Sequence, residues 1–361
     1  MLAVPYNHAK PANAQDCSNH MNERLENSNP ADDYEDLRGV DLTDDRLGEK
    51  LKSFAQDLDG SETRMGYLIK TRKLSTQQLV AIKLCNRRAM EEGVTLFENS
   101  PVQEDPRAEA FILRQLQHPH VVRLVECFDF QDYFCEVFEC LRGGDLFGVI
   151  QLRGSEVPLE QIRRLFCQLM QAVAYLHARC CVHLDVSPEN CMLVDERAEQ
   201  LVLIDFGVAK VLNPNQQFVE RQAHQRPGKV NYMSPEVFYS TRYPRYNPYA
   251  ADIYSSGITL LMMLLVGNPY DVEVRNARGE VVEHMQLHQL PAFSLLFQGR
   301  LKELLAIFGN ECANPERVPD SAVALLNRML GPEQYRPTAA QVLESEFCCA
   351  NFSATRQICS L

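Results

Sequence analysis

The feature that most constrains the fold is a change of hydrophobic pattern at Gly143-Gly144. Before these glycines, runs rich in β-branched and aromatic residues are separated by short polar turns, which is typical of β-strands. One segment, residues 105–117, has apolar residues near helical spacing instead. This part of the pattern therefore predicts a small sheet interrupted by one helix. The predicted strands cover residues 65–74, 79–85, 121–130 and 134–140.

After the two glycines the pattern becomes helical. Apolar residues from Ile162 to Leu176 recur at i, i+3, i+4 and i+7, which predicts an amphipathic helix. Residues 252–266 are apolar on all sides, which indicates a helix buried through a domain. Thr338 and Gln341 fit a capping box at the start of a last helix. We therefore expect an α+β fold, with a small β-rich lobe followed by a larger helical lobe.

Length and charge divide the chain into a domain and two tails. The first 60 of the 361 residues hold 13 acidic against 6 basic side chains, and the net charge is -12. Residues 1–50 also lack apolar periodicity, so we expect an acidic, disordered N-terminal tail, a domain over residues 51–350 and a short tail at 351–361. Nucleic acids and anionic membranes attract basic surfaces, so neither is expected as a main partner.

The cysteines and the apolar runs bear on the compartment. None of the 13 cysteines forms a CxxC pair, so neither a zinc site nor a disulfide scaffold is expected. The N-terminus lacks the basic and apolar regions of a secretory signal, and the longest apolar run, residues 258–266, is far shorter than the roughly 20 residues that a membrane span needs. We expect a cytoplasmic protein with reduced thiols.

Three short motifs carry groups suited to phosphate and metal chemistry. Residues 80–83 end a strand with Lys83, Asp205-Phe206-Gly207 follows an apolar strand, and residues 183–190 place Asp185 and Asn190 five positions apart in an irregular loop. A carboxylate at a strand end suits a metal site. Each motif alone is explained as readily by an exposed lysine, a strand-to-turn junction or a turn-forming loop.

Taken together and in this order, the motifs resemble those of the eukaryotic protein kinase family. The resemblance covers residues 52–350 and includes Ser234-Pro235-Glu236 in place of the family's Ala-Pro-Glu box. Counting back ten residues from Pro119 reaches Glu109, where the family has the helix glutamate that pairs with the strand lysine. The resemblance implies a bilobal protein kinase fold, with an N-lobe at about residues 51–138, a hinge at 139–142 and a C-lobe at about 143–350.

The resemblance also implies roles in phosphoryl transfer from ATP. Lys83, held by Glu109, would bind the α- and β-phosphates, while Asn190 and Asp205 would hold Mg²⁺. Asp185 would orient the acceptor hydroxyl and take its proton. The loose transition state of this reaction makes positioning and charge stabilisation the main tasks of the protein.

Nucleotide-binding residues are implied as well. Backbone groups of Glu139 and of Leu141 or its neighbours in the hinge would bind adenine, with Phe138 at the back of the pocket. Asp145 would contact the ribose or a basic substrate residue. Ordinary core packing is the alternative for the apolar residues of this set. The expected nucleotide-binding residues are Gly66, Leu68, Ala81, Lys83, Glu139, Leu141, Asp145 and Met192.

The sequence departs from the family at several positions. Ser61 and Thr63 stand where two glycines of the glycine-rich loop are usual, and only Gly66 is retained, which puts ATP affinity or loop closure in question. Leu184 replaces an arginine that commonly binds an activation-loop phosphate. Residues 208–228 contain no Ser, Thr or Tyr. Glu236 is expected to pair with Arg336 as a structural anchor.

Two further substitutions suggest that a hydroxyl and an ammonium group have exchanged positions. The family usually has a lysine two residues after the catalytic aspartate and a threonine in the loop before the Ala-Pro-Glu box; here these positions hold Ser187 and Lys229. If the two loops meet as in the family, Lys229 would supply the ammonium from the opposite side of the site and act as a catalytic residue. Two unrelated losses, with Lys229 in solvent, are the alternative.

Three functions are compatible with these residues. The favoured one is a protein serine/threonine kinase that uses ATP and Mg²⁺ on protein substrates, with Asp145 and Glu189 selecting arginine before the acceptor residue. The altered glycine-rich loop favours a catalytically inactive scaffold that binds nucleotide or partners. A kinase of small molecules fits less well, because Ser234-Pro235-Glu236 resembles a platform for protein substrates.

Overall fold

The computed structural model describes most of the predicted domain and one segment of the N-terminal tail. The remaining parts of both predicted tails lie outside the described residues. The described residues are 29–38, 61–98, 100–220, 226–239, 244–265, 273–275, 281–284, 294–296, 298, 300–309 and 318–350.

The N-terminal lobe is built on an antiparallel five-stranded sheet in the order β1-β2-β3-β5-β4. Ser61 and Thr63, which replace two usual glycines of the glycine-rich loop, lie on β1, and β1 pairs with β2. Each of the four strands predicted from the sequence is present with slightly different ends. The strands are β1 (Ser61–Thr63), β2 (Gly66–Arg72), β3 (Leu79–Asn86), β4 (Leu124–Phe130) and β5 (Tyr133–Glu139).

Two helices lie between β3 and β4. The first, α1 (Arg87–Glu92), was not expected from the sequence; Asn86 caps its N-terminus, and Gly93 ends it in the left-handed conformation. The second, α2 (Pro106–Leu113), is the predicted helix and packs against β4 and β5. Asp105 caps α2 and Pro106 occupies its first turn, which fixes the start of the helix and therefore the position of Glu109.

The C-terminal lobe is mainly helical, and the long predicted helices form its core. The amphipathic helix α4 packs against α6, which is buried along almost its whole length, and against α9. The predicted capping box of Thr338 and Gln341 is present at the start of α9. The helices are α3 (Leu146–Arg153), α4 (Leu159–His177), α5 (Pro235–Phe238), α6 (Pro248–Leu265), α7 (Leu301–Gly309), α8 (Asp320–Met329), α9 (Ala339–Leu343) and α10 (Glu346–Cys349).

Short strand pairs shape the loops of this lobe. β7 pairs with β8 beneath the cleft, β6 with β9, and β10 with β11. The stretch at residues 272–290, to which the sequence assigns no role, contains the antiparallel strand pair β12 and β13. The strands are β6 (Cys181–Val182), β7 (Cys191–Leu193), β8 (Leu201–Leu203), β9 (Lys210–Val211), β10 (Val219–Glu220), β11 (Arg245–Tyr246), β12 (Glu273–Arg275) and β13 (Val281–His284).

The expected anchor between Glu236 and Arg336 is present. The guanidinium makes two hydrogen bonds to the carboxylate, one of them 2.9 Å long, and also donates to the carbonyl of Ala250. Both side chains are buried. A buried pair of this kind is costly to break, because either partner alone would be an uncompensated charge. The pair therefore fixes α5 to the segment just before α9.

The prediction that the first 50 residues form a disordered tail is wrong for residues 29–38. Ala31, Tyr34 and Leu37 are fully buried on the face of the sheet opposite α2, and the Tyr34 ring stacks on Phe128 at 5.7 Å. The Tyr34 hydroxyl and Lys73 both bond to Glu126. Average composition hides this segment, because three apolar residues within an acidic stretch suffice to cover an exposed sheet face.

Candidate active site

A cavity of about 350 Å³ lies between the lobes. Its walls contain eleven of the thirteen residues predicted for catalysis, nucleotide binding or metal binding. Those eleven are Leu68, Ala81, Lys83, Glu109, Glu139, Leu141, Asp185, Asn190, Met192, Asp205 and Lys229.

The predicted pair of Lys83 and Glu109 is formed. Lys83 Nζ lies 2.8 Å from Glu109 Oε2, and Glu109 Oε1 accepts a hydrogen bond of 2.9 Å from the backbone N–H of Phe206. Burial lowers the pKa of Lys83, but Glu109 and Asp205 outweigh this, so its pKa lies well above the usual value. Lys83 is thus a fixed cation, and Glu109 ties strand β3, helix α2 and the segment after β8 together.

Asp205 follows β8 in a left-handed conformation, with φ of 62°. Such a conformation is uncommon for a residue with a side chain and here aims the carboxylate into the cavity, 3.8 Å from Lys83 Nζ. Burial raises the pKa of Asp205, yet Lys83 and Lys229 outweigh it and the pKa lies below its usual value. The carboxylate is therefore ionised and available to a cation.

Asp185 and Asn190 are joined within the catalytic loop. Asn190 Nδ2 donates to the backbone carbonyl and to Oδ2 of Asp185, each at 2.8 Å, which leaves Asn190 Oδ1 for another partner. Together with Asp205 this gives one carboxylate and one amide oxygen in the cavity, a donor set that Mg²⁺ uses when phosphates and water complete its coordination. The residues present therefore fit the metal.

The loop around Asp185 is held from helix α6. Asp252 accepts hydrogen bonds from the backbone N–H groups of His183, at 2.9 Å, and Leu184, at 2.7 Å. Leu184 has φ of 65°, which costs free energy for a non-glycine residue and persists only where the surroundings fix it. Asp252 supplies that constraint and so positions the carboxylate of Asp185.

Lys229 reaches this loop from the activation segment. Its backbone N–H donates to Asp185 Oδ1 at 2.8 Å, and its Nζ lies 2.8 Å from Asp185 Oδ2 and 3.2 Å from Ser187 Oγ. Gly228 makes the approach possible, because a Cβ at that position would lie 2.3 Å from the carbonyl oxygen of Leu184. Lys229 Nζ thus lies within reach of both Asp185 and Ser187, as the exchange requires, and its catalytic role stays a prediction.

The base of the cavity is apolar. Leu68 and Ala81 line it from the N-terminal lobe, Met192 lines it from the C-terminal lobe, and Phe138 closes the back. In the hinge, the backbone N–H of Leu141 forms no hydrogen bond within the described part of the chain. Apolar walls beside a hinge N–H group that is available for hydrogen bonding suit an aromatic base with hydrogen-bonding edges.

Gly66 and Asp145 are the two predicted residues that do not line the cavity. A Cβ at Gly66 would lie 1.9 Å from the carbonyl oxygen of Leu84, so the structure explains this glycine by the close contact of β2 with β3. Asp145 Oδ1 caps α3 by accepting from Gly148 N at 2.7 Å. Their roles in nucleotide binding stay predictions.

Leu184, which stands where the family commonly has a phosphate-binding arginine, lies in an apolar environment. Leu184 is buried in a cluster that includes Leu212, Met233 and Val237, and β10 pairs with β11 beside it. The cluster links the catalytic loop to the activation segment without a charged group at Leu184. This arrangement follows from the replacement of arginine by leucine, although the sequence alone does not reveal the partners.

Sequence reasoning missed three charged residues of the cavity, Arg64, Lys70 and Glu104. Arg64 lies in the two-residue turn between β1 and β2, and its guanidinium forms an ion pair of 3.0 Å with Glu104, just before α2. Both line the cavity near Asp205. Burial and the nearby Asp205 raise the pKa of Glu104. The contact spans 40 residues and depends on the path of the chain after α1, which no motif indicates.

Comparison with known proteins agrees with this geometry. The chain is 32% identical over 200 residues to a carbon catabolite-derepressing protein kinase of Candida tropicalis, covering 55% of this chain and 29% of that protein. It is 32% identical over 210 residues to CBL-interacting protein kinase 21 of Oryza sativa subsp. japonica, covering 58% and 37%. The chain thus spans well under half the length of these curated relatives.

A family model gives the wider match. The model for the protein kinase domain covers residues 62–348, which include both lobes and every charged residue discussed above. In the described part of the chain, no helix is long and apolar enough to cross a membrane. The chain therefore belongs to the protein kinase family.

Proposed function

We propose that the chain is a protein serine/threonine kinase that transfers the γ-phosphate of ATP to hydroxyl groups of protein substrates. One observation carries the proposal: the Lys83–Glu109 ion pair, Asp185 with Asn190, and Asp205 line a single cavity. These are the groups that phosphoryl transfer needs for phosphate binding, proton removal and metal binding.

The chain's own residues divide the work as follows. Lys83 would bind the phosphates next to the transferred group. Asn190 and Asp205 would hold Mg²⁺, which would neutralise charge on phosphate oxygens. A carboxylate has about four acceptor positions, and three at Asp185 are taken by Asn190 Nδ2 and by the N–H and Nζ of Lys229. The remaining one accepts the substrate hydroxyl and its proton.

Lys229 contributes a second ammonium at the reaction centre. Because its Nζ contacts both Asp185 and Ser187, it keeps the base in place and adds positive charge where the transferred phosphoryl group passes. The ammonium also favours the ionised form of Asp205. The exchange of Ser187 and Lys229 thus preserves the charge of the site.

A protein substrate and a cytoplasmic location complete the proposal. The loop Ser187-Pro188-Glu189 resembles that of serine/threonine kinases, and the relatives are named as protein kinases. No disulfide bond joins the ten cysteines of the described residues, which suits a reducing compartment. A catalytically inactive scaffold is the competing function, favoured by the missing glycines of the loop.

Transfer from labelled ATP with Mg²⁺ to generic protein substrates tests the proposal. Asp205→Asn and Lys83→Met should each lower transfer by about 100-fold or more, because each removes a charge that acts on the phosphates. Lys302→Met, a change at an exposed lysine of α7, is the matched control and should be neutral. A wild-type chain that binds ATP but transfers no phosphate would support the scaffold instead.

A further inference from the structure

The tip of the glycine-rich loop is fixed to the rest of the N-terminal lobe. The carbonyl of Arg64 accepts from Leu96 N at 2.8 Å, the carbonyl of Met65 accepts from Asn86 N at 2.8 Å, and Met65 is buried. A loop with free glycines can adjust its backbone to a phosphate, but one tied at two successive residues cannot do so freely. Contacts to phosphates must then come largely from side chains.

Two side chains of the loop are available for this. Thr63 Oγ1 is buried beside the cavity and has no hydrogen-bond partner among the described residues. A buried hydroxyl without a partner is uncommon and indicates an unfilled site. Arg64 follows it directly, lines the same cavity, and carries a planar guanidinium suited to phosphate oxygens.

The present partner of Arg64 is poorly placed for a permanent ion pair. Glu104 lies against the Asp205–Gly207 turn: Asp105 N donates to the carbonyl of Gly207 at 2.9 Å, and a Cβ on Gly207 would lie 3.0 Å from Glu104 Cγ. The Glu104 carboxylate therefore lies beside Asp205 in the cavity, where phosphates bound by Lys83 would add negative charge. The Arg64 side chain is 63% exposed, whereas Glu104 is only 15% exposed. Because the guanidinium lies in solvent, the pair is screened and contributes little.

We propose that Arg64 and Thr63 bind the phosphates of the nucleotide, and that Glu104 holds Arg64 until the phosphates replace it. This inference rests on the proposed use of ATP and deepens it by naming side-chain ligands in a loop that has lost two glycines. Triphosphate and diphosphate compete with Glu104 for the guanidinium because they offer more negative charge and bidentate acceptors. Adenosine, which lacks phosphate, leaves the Arg64–Glu104 pair intact.

Binding of adenosine, ADP and ATP to the full chain, measured by calorimetry with Mg²⁺, tests this directly. Arg64→Gln should weaken ATP and ADP by about tenfold or more and leave adenosine unchanged, since a hydrogen bond to a charged group is lost. Thr63→Val should weaken ATP about threefold, as expected for a neutral hydrogen bond. Glu104→Gln should strengthen ATP binding several-fold.

The controls separate this inference from the proposed function. Arg88→Gln makes the same charge change at an exposed arginine of α1 and should leave all three affinities unchanged. The gain from Glu104→Gln should shrink in the Arg64→Gln background, because the two residues share one interaction. Equal losses for Arg64→Gln and Arg88→Gln, or an unchanged ratio of ATP to adenosine affinity, would overturn the inference and leave the kinase proposal standing. A wild-type chain that binds no nucleotide would overturn both.

Discussion

Lys229 Nζ lies 3.2 Å from Ser187 Oγ, although the two residues are 42 positions apart in the chain. Lys229 Nζ also lies 2.8 Å from Asp185 Oδ2, so the ammonium and the hydroxyl meet beside the catalytic aspartate. A compensating exchange of Ser187 and Lys229 requires this contact, because the ammonium must reach the space that the missing lysine would occupy.

The exchange predicts a non-additive pair of substitutions. Lys229→Thr should lower kcat/KM by about 100-fold, because it removes a charge beside the base. Adding Ser187→Lys to that variant should recover part of the loss, since it returns an ammonium to the same space. Phosphorylation of a peptide by the single and double variants measures this.

The folded state of each variant needs a check, because Ser187 is fully buried. Thermal midpoints of all variants should be compared before their rates, and Lys210→Thr, at an exposed lysine of β9, serves as the control substitution. Simple addition of the two single effects in well-folded variants would mean that Ser187 and Lys229 have not exchanged roles.

Some of the contacts at the site could be predicted from the sequence, and others could not. The resemblance to the kinase family implies which loops meet, so the contacts of Lys83 with Glu109 and of Lys229 with Asp185 could be predicted from it. The contact of Arg64 with Glu104 was not, because it depends on how residues 93–105 turn back toward the cavity. Residues 29–38 were missed for a different reason: burial of a few apolar side chains on a sheet face is a tertiary event that average composition conceals.

The apolar cluster at Leu184 predicts activity without activation-loop phosphorylation. Residues 208–228 offer no hydroxyl to phosphorylate, and Leu184 packs against Met233 and Val237 in place of an arginine that would bind a phosphate. Phosphatase treatment of the purified protein should therefore leave kcat/KM within about twofold of its starting value. A large loss of activity after dephosphorylation would contradict this.

The apolar cluster at Leu184 can also be tested by substitution. Leu184→Arg would place an unpaired charge in a buried apolar site and should lower both the thermal midpoint and the activity. Adding a free phosphate-containing peptide should not restore either. Leu152→Arg, at a leucine that is 88% exposed on α3, is the control and should change neither.

Substrate choice should follow the carboxylates of Glu189 and Asp145. Glu189 Oε1 accepts from the hydroxyl of Tyr232 at 2.9 Å, and Oε2 is buried without a hydrogen-bond partner among the described residues. Asp145 uses one oxygen to cap α3. Asp145 therefore retains an acceptor for a guanidinium, and Glu189 would offer one once its side chain turned Oε2 outward. A peptide library should favour arginine before the acceptor Ser or Thr.

Variants assign this preference to individual residues. Glu189→Gln should lower kcat/KM for arginine-containing peptides by about tenfold and should leave peptides with alanine in place of arginine unchanged. Asp145→Asn keeps the cap of α3 and tests the other carboxylate in the same way. A preference for acidic or proline-flanked peptides would contradict the prediction.

The last prediction concerns Glu136, a glutamate on β5 that is fully buried and lies directly across from Lys83 on β3. Its Oε2 lies 4.0 Å from the thiol of Cys85, and its Oε1 has no hydrogen-bond partner within the described part of the chain. Burial and the neighbouring Glu109 raise the pKa of Glu136 well above its usual value, although Lys83 opposes them. Burial thus favours the neutral form of this carboxyl.

The sign of the pH effect follows from this shift. A group whose pKa is higher in the folded than in the unfolded protein contributes stability that is full below the unfolded pKa, about 4.3, and is lost as the pH rises through the folded value. Above that window an ionised Glu136 would face the carboxylates of Glu109 and Asp205 and compete with them for Lys83. The free energy of unfolding contributed by Glu136 should therefore fall as the pH is raised.

The substitution Glu136→Gln removes the titratable carboxyl group and nearly keeps the volume of the side chain. The difference in thermal midpoint between this variant and the wild type should be small near pH 5 and should grow in favour of the variant toward pH 8, by about 2 °C or more for each 1 kcal/mol recovered. Taking the difference cancels the opposite contribution of Asp205, whose pKa is lowered and whose stabilisation is lost only toward acid pH. Glu91→Gln, at an exposed carboxylate of α1, should show no such trend. If the midpoint difference for Glu136→Gln were the same at every pH, Glu136 would not change its charge in the folded protein over this range, and its place opposite Lys83 would need another explanation.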